Sequence, residues 1–107
     1  MVKSMFEQDF DFDDIQPCFM ISIVSQMITM HPQTIRHYEE IGLIKPERTR
    51  GNKRLYSKKD IQVLNKIQSY TNLGINLAGV DIILKLLEQI HEKDSQIQEL
   101  KKKIGEI

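Results

Sequence analysis

Two short amphipathic segments, separated by a three-residue break, constrain this chain most strongly. Residues 22–28 carry apolar side chains at helical spacing, and Ser22 suits the N-cap of that helix. Pro32 suits the first position of a second helix, because its missing N–H group costs nothing there. The predicted buried residues of the second helix, which recur every three residues, are Ile35, Tyr38 and Ile41. Two short helices joined by such a turn predict a helix-turn-helix.

The outward face of the second helix offers hydrogen-bonding side chains. Gln33, Arg36 and His37 point away from the predicted core, and Gln and Arg form paired hydrogen bonds with adenine and guanine edges in a major groove. Thr34 and Tyr38 are placed to reach the sugar-phosphate backbone. His31 precedes Pro32 and is expected at the N-cap. This face is therefore a candidate DNA-reading surface, although His37 also fits a merely solvated position.

A cationic segment follows directly. Residues 45–59 hold seven Lys and Arg against one Glu, a net charge of +6. Gly and Asn lie at the centre of residues 47–56, and this turn chemistry predicts a small β-hairpin. A solvated charged loop is the alternative. The adjoining polar helix instead favours a hairpin that binds DNA phosphates, which we call the wing. The predicted phosphate contacts are Arg48, Arg50, Lys53, Arg54 and Tyr56.

The C-terminal third predicts one long helix. Ser57 and Asp60 resemble a capping box for a preceding helix, and Asn76 is a cap for the helix that starts near Leu77. Residues at heptad a and d positions form a narrow apolar seam among charged neighbours, which predicts a coiled-coil homodimer. A helix folded back on its own domain is the alternative, and parallel or antiparallel pairing stays open. The predicted dimerisation residues are Ile83, Leu86, Ile90, Ile97, Leu100 and Ile104.

The N-terminal segment has the opposite charge. Residues 1–16 hold one Lys against five acidic residues, a net of −4 inside a chain of zero formal net charge. Residues 1–19 are predicted to be a flexible acidic tail. A more specific hypothesis is that this tail is a docking peptide that uses the side chains of Phe6, Phe10 and Phe12. The remaining boundaries are predicted at 20–76 for the helix-turn-helix domain with its wing and at 77–107 for the dimerisation helix.

Composition argues against several other classes of protein. One cysteine (Cys18) and three scattered histidines give no metal-ligand spacing, so no metal and no cofactor are predicted. The sequence has no nucleophile–base pair and no phosphate-cradling glycine loop, which argues against an enzyme. No apolar run approaches a membrane span, and the acidic N-terminus is unlike a signal peptide, so a cytoplasmic protein that joins the nucleoid on DNA is expected.

At this point the residues resemble the MerR family of transcription regulators. The resemblance rests on the runs Pro32–Glu39, Ile41–Pro46 and Arg54–Ser57. It implies a mainly α, winged helix-turn-helix fold with a β-hairpin wing and a C-terminal coiled-coil helix, which binds an inverted repeat as a homodimer. Residues 30–36 and 74–80 are similar to the heat-shock repressors of the family, which implies repression of chaperone genes assisted by a chaperone such as DnaK.

The sequence departs from that family in two places, and two alternatives stay open. Thr29 stands where the family usually has glycine, and Asn52-Lys53 replace Gly-Tyr at the wing. A chaperone-modulator-type adaptor on the same fold would use the tail and the long helix without binding specific DNA. A small DNA-bending protein of the excisionase kind would share the winged domain. The basic wing argues against the adaptor, and the long helix argues against the bending protein.

Overall fold

A computed structural model describes residues 12–105, which divide into two compact units, residues 12–75 and residues 76–105. Among the described residues, the first unit combines four helices with three short strands, and the second unit is a single long helix. The helices of the described residues are α1 (Phe12–Ile15), α2 (Ile21–Ile28), α3 (Pro32–Glu40), α4 (Lys58–Asn72) and α5 (Leu77–Lys103). The strands are β1 (Phe19–Met20), β2 (Glu47–Arg48) and β3 (Arg54–Tyr56).

Helices α2 and α3 form the predicted helix-turn-helix. The start of α3 is as predicted, because Pro32 occupies its first turn and Nδ1 of His31 accepts a hydrogen bond from the backbone N–H of Gln33 at 3.0 Å. The predicted start of α2 is wrong by two residues, since Met20 rather than Ser22 is the N-cap and Ser22 lies inside the helix, which begins at Ile21. Helix α2 packs against α3 and α4.

The end of α3 sets the direction in which the chain leaves toward the wing. Gly42 has φ +84°, a left-handed conformation that suits glycine, and the N–H of Leu43 donates to the carbonyl of Tyr38 at 2.9 Å. The prediction that Ile41 is buried is wrong, since this residue is 45% exposed. The reason is that α3 ends at Glu40, so Ile41 does not continue the buried face of the helix.

The predicted hairpin belongs to a three-stranded antiparallel sheet with the order β1-β3-β2. The hairpin itself is confirmed, with Glu47 opposite Leu55 and Arg48 opposite Arg54. Strand β1 was not predicted: it pairs Phe19 with Tyr56, and the N–H of Cys18 donates to the carbonyl of Tyr56 at 3.0 Å. Pairing partners so distant in the sequence leave no local signal.

Part of the predicted flexible tail is structured. Residues Phe12–Ile15 form the one-turn helix α1, which lies against α4, and the chain then enters β1 at Phe19. Residues 12–19 therefore contain some secondary structure, and the flexible character of the tail stays a prediction. Residues 1–11, which include the proposed docking residues Phe6 and Phe10, lie outside the described residues.

Helix α4 covers the sheet and completes the core of the first unit. The capping box is confirmed, because Ser57 Oγ accepts from the N–H of Asp60 at 3.0 Å while the Asp60 carboxylate accepts from the N–H of Ser57 at 2.9 Å. The core side chains with almost no exposure are Val24, Ile35, Tyr56, Leu64 and Ile67.

Helix α5 is one uninterrupted helix of 27 residues. Asn76 caps it as predicted, since its Oδ1 accepts from the N–H of Gly79 at 2.8 Å. No helix within residues 12–105 has the length and apolar character needed to cross a membrane. The predicted mainly α fold, a winged helix-turn-helix followed by a long helix, is confirmed; pairing of that helix into a coiled coil stays a prediction.

Candidate nucleic-acid interface

The outward face of α3 carries two side chains that are already in contact. Nη1 of Arg36 donates to Oε1 of Gln33 at 3.2 Å, one helical turn away, and Gln33 is exposed. This bond leaves the amide N–H groups of Gln33 and further guanidinium N–H groups of Arg36 available to a ligand. His37 is exposed beside them, and Thr34 is half-buried on the same helix. The face offers donors and acceptors of the kind that read base edges.

The wing ends in a compact loop of three residues, 50–52. The loop is closed by two backbone bonds, from the N–H of Asn52 to the carbonyl of Thr49 and from the N–H of Thr49 to the carbonyl of Lys53, each 2.9 Å long. Asn52 adopts φ +62°, which asparagine tolerates better than most residues. Arg50 and Lys53 are exposed, and neither forms an ion pair with another described residue.

The other two wing arginines point at α3. Nη2 of Arg48 lies 2.8 Å from Oε1 of Glu39, and Nε of Arg54 donates to Oε2 of the same carboxylate. Burial alone raises the pKa of the Glu39 carboxyl, but the hydrogen bonds and positive charges of Arg54 and Arg48 outweigh it, so the pKa lies below its ordinary value. Glu39 is therefore ionised at neutral pH. We call Glu39, Arg48 and Arg54 the Glu39 cluster.

Sequence reasoning missed Glu39 as a residue of this site. One signal was present: Arg48 and Arg54 lie in the two strands of a predicted hairpin, where like charges opposite each other destabilise the pair unless a counter-charge compensates. The sequence did not say which carboxylate would compensate them, because the contact depends on how the wing folds back on α3.

The two tyrosines of the predicted interface are in the core. Tyr56 has no exposed surface, because β3 is the central strand and lies against α2 and α4. Burial raises the pKa of Tyr56 to about 12, and its hydroxyl has no hydrogen-bond partner among the described residues. Tyr38 is 7% exposed. This burial argues against a phosphate contact of Tyr56, whereas a contact of Tyr38 with the DNA backbone stays a prediction.

The seam of α5 is largely exposed within one chain. Ile83 is half-buried, whereas the other five predicted dimerisation residues expose about half of their surface or more. The exposed fractions are 51% for Leu86, 56% for Ile90, 49% for Ile97, 59% for Leu100 and 70% for Ile104. Apolar side chains repeated on one helix at this exposure are typical of a surface that another helix covers.

The described residues contain little that suggests other chemistry. Within residues 12–105, no group of three or more His, Cys, Asp and Glu side chains is arranged to hold a metal ion. Cys18 is a free, exposed thiol just before β1. The polar face of α3 and the cationic wing remain the candidate site.

A helix-turn-helix pair with an adjoining β-hairpin wing defines the class of winged helix-turn-helix proteins. Residues 19–87 match the family described as "MerR HTH family regulatory protein". This match covers more than half of the chain, so the chain belongs to the MerR family of helix-turn-helix transcription regulators. The resemblance seen in the sequence is confirmed.

Two curated relatives illustrate the similarity. The "Putative heat shock protein HspR" of Streptomyces coelicolor is 38% identical over 92 residues, which is 85% of this chain and 61% of that protein. The "HTH-type transcriptional regulator GlnR" of Bacillus anthracis is 39% identical over 72 residues, 67% of this chain and 56% of that protein. The chain thus spans about six tenths of the length of these relatives.

Solved structures agree on the fold. A MerR family transcriptional regulator from Bacillus cereus aligns with a TM-score of 0.59 and 29% identity, over 82% of this chain and 72% of that one. HiNmlR, described as a MerR family regulator lacking the sensor domain and bound to promoter DNA, aligns with a TM-score of 0.58 and 24% identity, over 80% and 77% of the two chains. At that identity the second comparison speaks for the fold alone.

Proposed function

We propose that this protein is a transcriptional repressor of heat-shock and chaperone genes that binds an inverted-repeat operator as a homodimer. The observation that carries DNA binding is the exposed Gln33–Arg36 pair on α3, next to a wing whose exposed tip bears Arg50 and Lys53. The proposed reading residues are Gln33, Arg36 and His37, which face the major groove. Phosphate contacts supply affinity, and contacts to base edges supply sequence choice.

The homodimer is proposed from the exposed α5 seam. Burying such a seam against a second copy removes apolar surface from water. The two copies of α3 in the proposed dimer are then related by a two-fold axis. A two-fold axis in the protein requires a palindromic operator, with half-sites spaced by whole turns of DNA. The proposed dimer acts in the cytoplasm and joins the nucleoid when it binds DNA.

The target genes are proposed from the relatives. The 38% identity to a protein named as a heat shock protein, HspR, supports heat-shock and chaperone genes as targets. A chaperone such as DnaK is the proposed co-repressor, and the chain requires no catalytic group for this role. A chaperone-modulator-type adaptor, which would bind proteins rather than DNA, is the competing function.

The test is binding to duplex DNA from the protein's own upstream region, measured by gel shift with excess random DNA, with and without DnaK. Specific retardation that DnaK strengthens supports the complete proposal. Retardation that is indifferent to DnaK keeps the DNA-binding regulator and removes the co-repressor. Absence of specific retardation under both conditions supports the adaptor.

A variant of Arg36 tests the reading face. Arg36→Ala removes a planar donor from α3 and is expected to cost about 1–3 kcal/mol at the operator, which is about 5–150-fold in affinity. Arg36→Lys is the matched variant: it keeps the charge but lacks the planar, rigid fork of donors, so it should bind random DNA normally and discriminate less well than the wild type. Unchanged discrimination in both variants would refute the assignment of this face.

A further inference from the structure

The Glu39 cluster connects three elements through one carboxylate. Glu39 lies near the C-terminus of α3, Arg48 in β2 and Arg54 in β3, and the two arginines are direct cross-strand partners. Glu39 is half-buried, with 16% of its side chain exposed. Each carboxylate oxygen takes a different guanidinium, so the carboxylate fixes both strands of the wing against the end of the helix.

The connection continues to the tip of the wing. Nη1 of Arg48 donates to the carbonyl oxygen of Asn52 at 3.1 Å, while Nη2 of the same guanidinium holds Glu39 at 2.8 Å. Asn52 is the loop residue with a left-handed backbone conformation, and in the sequence it lies between Arg50 and Lys53. One guanidinium thus links the end of α3 to the loop that presents the two unpaired cations.

We propose that Glu39 is a positioning residue for DNA binding. It orients the wing through Arg48 and Arg54, so that Arg50 and Lys53 make the phosphate contacts of the wing. This inference rests on the proposed DNA-binding function. It revises the sequence-based expectation that Arg48 and Arg54 are themselves phosphate contacts, because their charges are already directed at a carboxylate.

The sign of one mutational effect separates this role from simple electrostatics. Glu39→Gln removes a negative charge close to the DNA-binding side, and charge repulsion alone predicts tighter binding to phosphates. A positioning role predicts the opposite, because the neutral amide holds two guanidinium groups less strongly and the wing loses its orientation. We expect Glu39→Gln to bind duplex DNA about fivefold or more weakly.

The matched control is the next residue. Glu40→Gln removes the same charge from the same helix, but Glu40 is exposed and forms no ion pair with any described residue. This variant should bind DNA as tightly as the wild type or more tightly. Glu39→Asp keeps the charge and shortens the side chain, and it should be impaired if the position of the carboxylate matters.

Salt dependence supplies a readout that a purely structural role would not change. Each phosphate contact that is lost lowers the slope of log affinity against log salt by about 1. Arg50→Gln and Lys53→Gln should each lower the slope by about that amount. Glu39→Gln removes no cation, yet it should lower the slope as well, and adding Arg50→Gln to it should produce little further change.

The experiment uses the full chain and a duplex selected by the wild-type protein from a random pool, with a scrambled duplex beside it. Fluorescence anisotropy over a range of KCl gives affinities and slopes, and thermal unfolding shows that each variant is folded at the assay temperature. Weaker binding and a smaller slope in Glu39→Gln, with neither in Glu40→Gln, support the inference. Equal or tighter binding of Glu39→Gln overturns it and leaves the DNA-binding function standing. If the wild type selects no duplex, both proposals fail.

Discussion

Thr29 occupies a backbone position for which the ends of α3, α4 and α5 use glycine. Its φ and ψ are 52° and 55°, the left-handed region, at the turn between α2 and α3. The N–H of Met30 donates to the carbonyl of Ser25 at 3.1 Å. A hydrogen bond of the same type, from an N–H to the carbonyl five residues earlier, closes α3 after Gly42 and α4 after Gly74. The φ angles of these two glycines are +84° and +91°. A β-branched residue thus stands where the backbone favours glycine.

The expected consequence is that Thr29→Gly stabilises the protein. A left-handed conformation costs an L-residue about 1–2 kcal/mol, whereas glycine loses about 0.5–1 kcal/mol of additional conformational entropy on folding. The side chain of Thr29 is exposed, so the substitution removes little packing. The difference is a gain of about 0.5–1 kcal/mol in the free energy of unfolding, which corresponds to about 2–8 °C in Tm for a domain of this size.

Urea and thermal unfolding followed by circular dichroism, at one fixed protein concentration, measure this gain. Gln26→Gly is the matched control, because Gln26 is exposed within α2 and glycine there should destabilise by about 1 kcal/mol. Thr29→Asn should lie between the wild type and Thr29→Gly, since asparagine tolerates the left-handed region. A destabilised Thr29→Gly would refute the reasoning and show that the threonine side chain contributes more than its backbone strain costs.

Four further outcomes are expected. Tyr56→Phe should raise the free energy of unfolding by about 1 kcal/mol, because it removes a buried hydroxyl that has no partner among the described residues, and it should leave DNA affinity unchanged. Because the pKa of Tyr56 rises to about 12 on folding, wild-type stability should also fall as pH increases from about 10 toward 12, and this component should be absent in Tyr56→Phe. Arg50→Ala should weaken binding to all DNA sequences alike and lower the salt slope by about 1, measured on selected and scrambled duplexes; a sequence-dependent loss would contradict a phosphate contact. Ile97→Asp should convert the proposed dimer into monomers in sedimentation experiments, whereas Gln98→Asp, an exposed change off the seam, should not; a dimer that persists in Ile97→Asp would refute the proposed seam.

The helix boundaries of the first unit show what local sequence can predict. His31 at the start of α3, and the reciprocal bonds of Ser57 and Asp60 at the start of α4, join groups only two or three residues apart. Such bonds depend on residue type and spacing alone, so they can be predicted without knowledge of the tertiary structure. The exposed face of α3 was predictable for the same reason, because helical periodicity separates its buried side from its polar side.

Apart from the start of α2 and the exposure of Ile41, the errors occurred where distant segments meet. Alternation along β3 placed Arg54 and Tyr56 on one face, but it did not indicate that helices would cover Tyr56 or that Phe19 would pair with it. The same limit applies to Glu39, which is fifteen residues from Arg54 in the sequence. Periodicity reports which side of an element is buried, and it carries no information about the partner that buries it.

The sequence by itself determined helices α3, α4 and α5 with their N-caps, the hairpin and the cationic charge of the wing, because each depends on interactions within a few residues. Only the tertiary structure decided which cations of the wing stay unpaired. Arg48 and Arg54 are engaged by Glu39 once the hairpin folds against α3, while Arg50 and Lys53 are exposed and form no ion pair with that carboxylate. The physical reason is that ion pairing falls off within a few ångströms, and only the folded chain sets distances between segments remote in sequence.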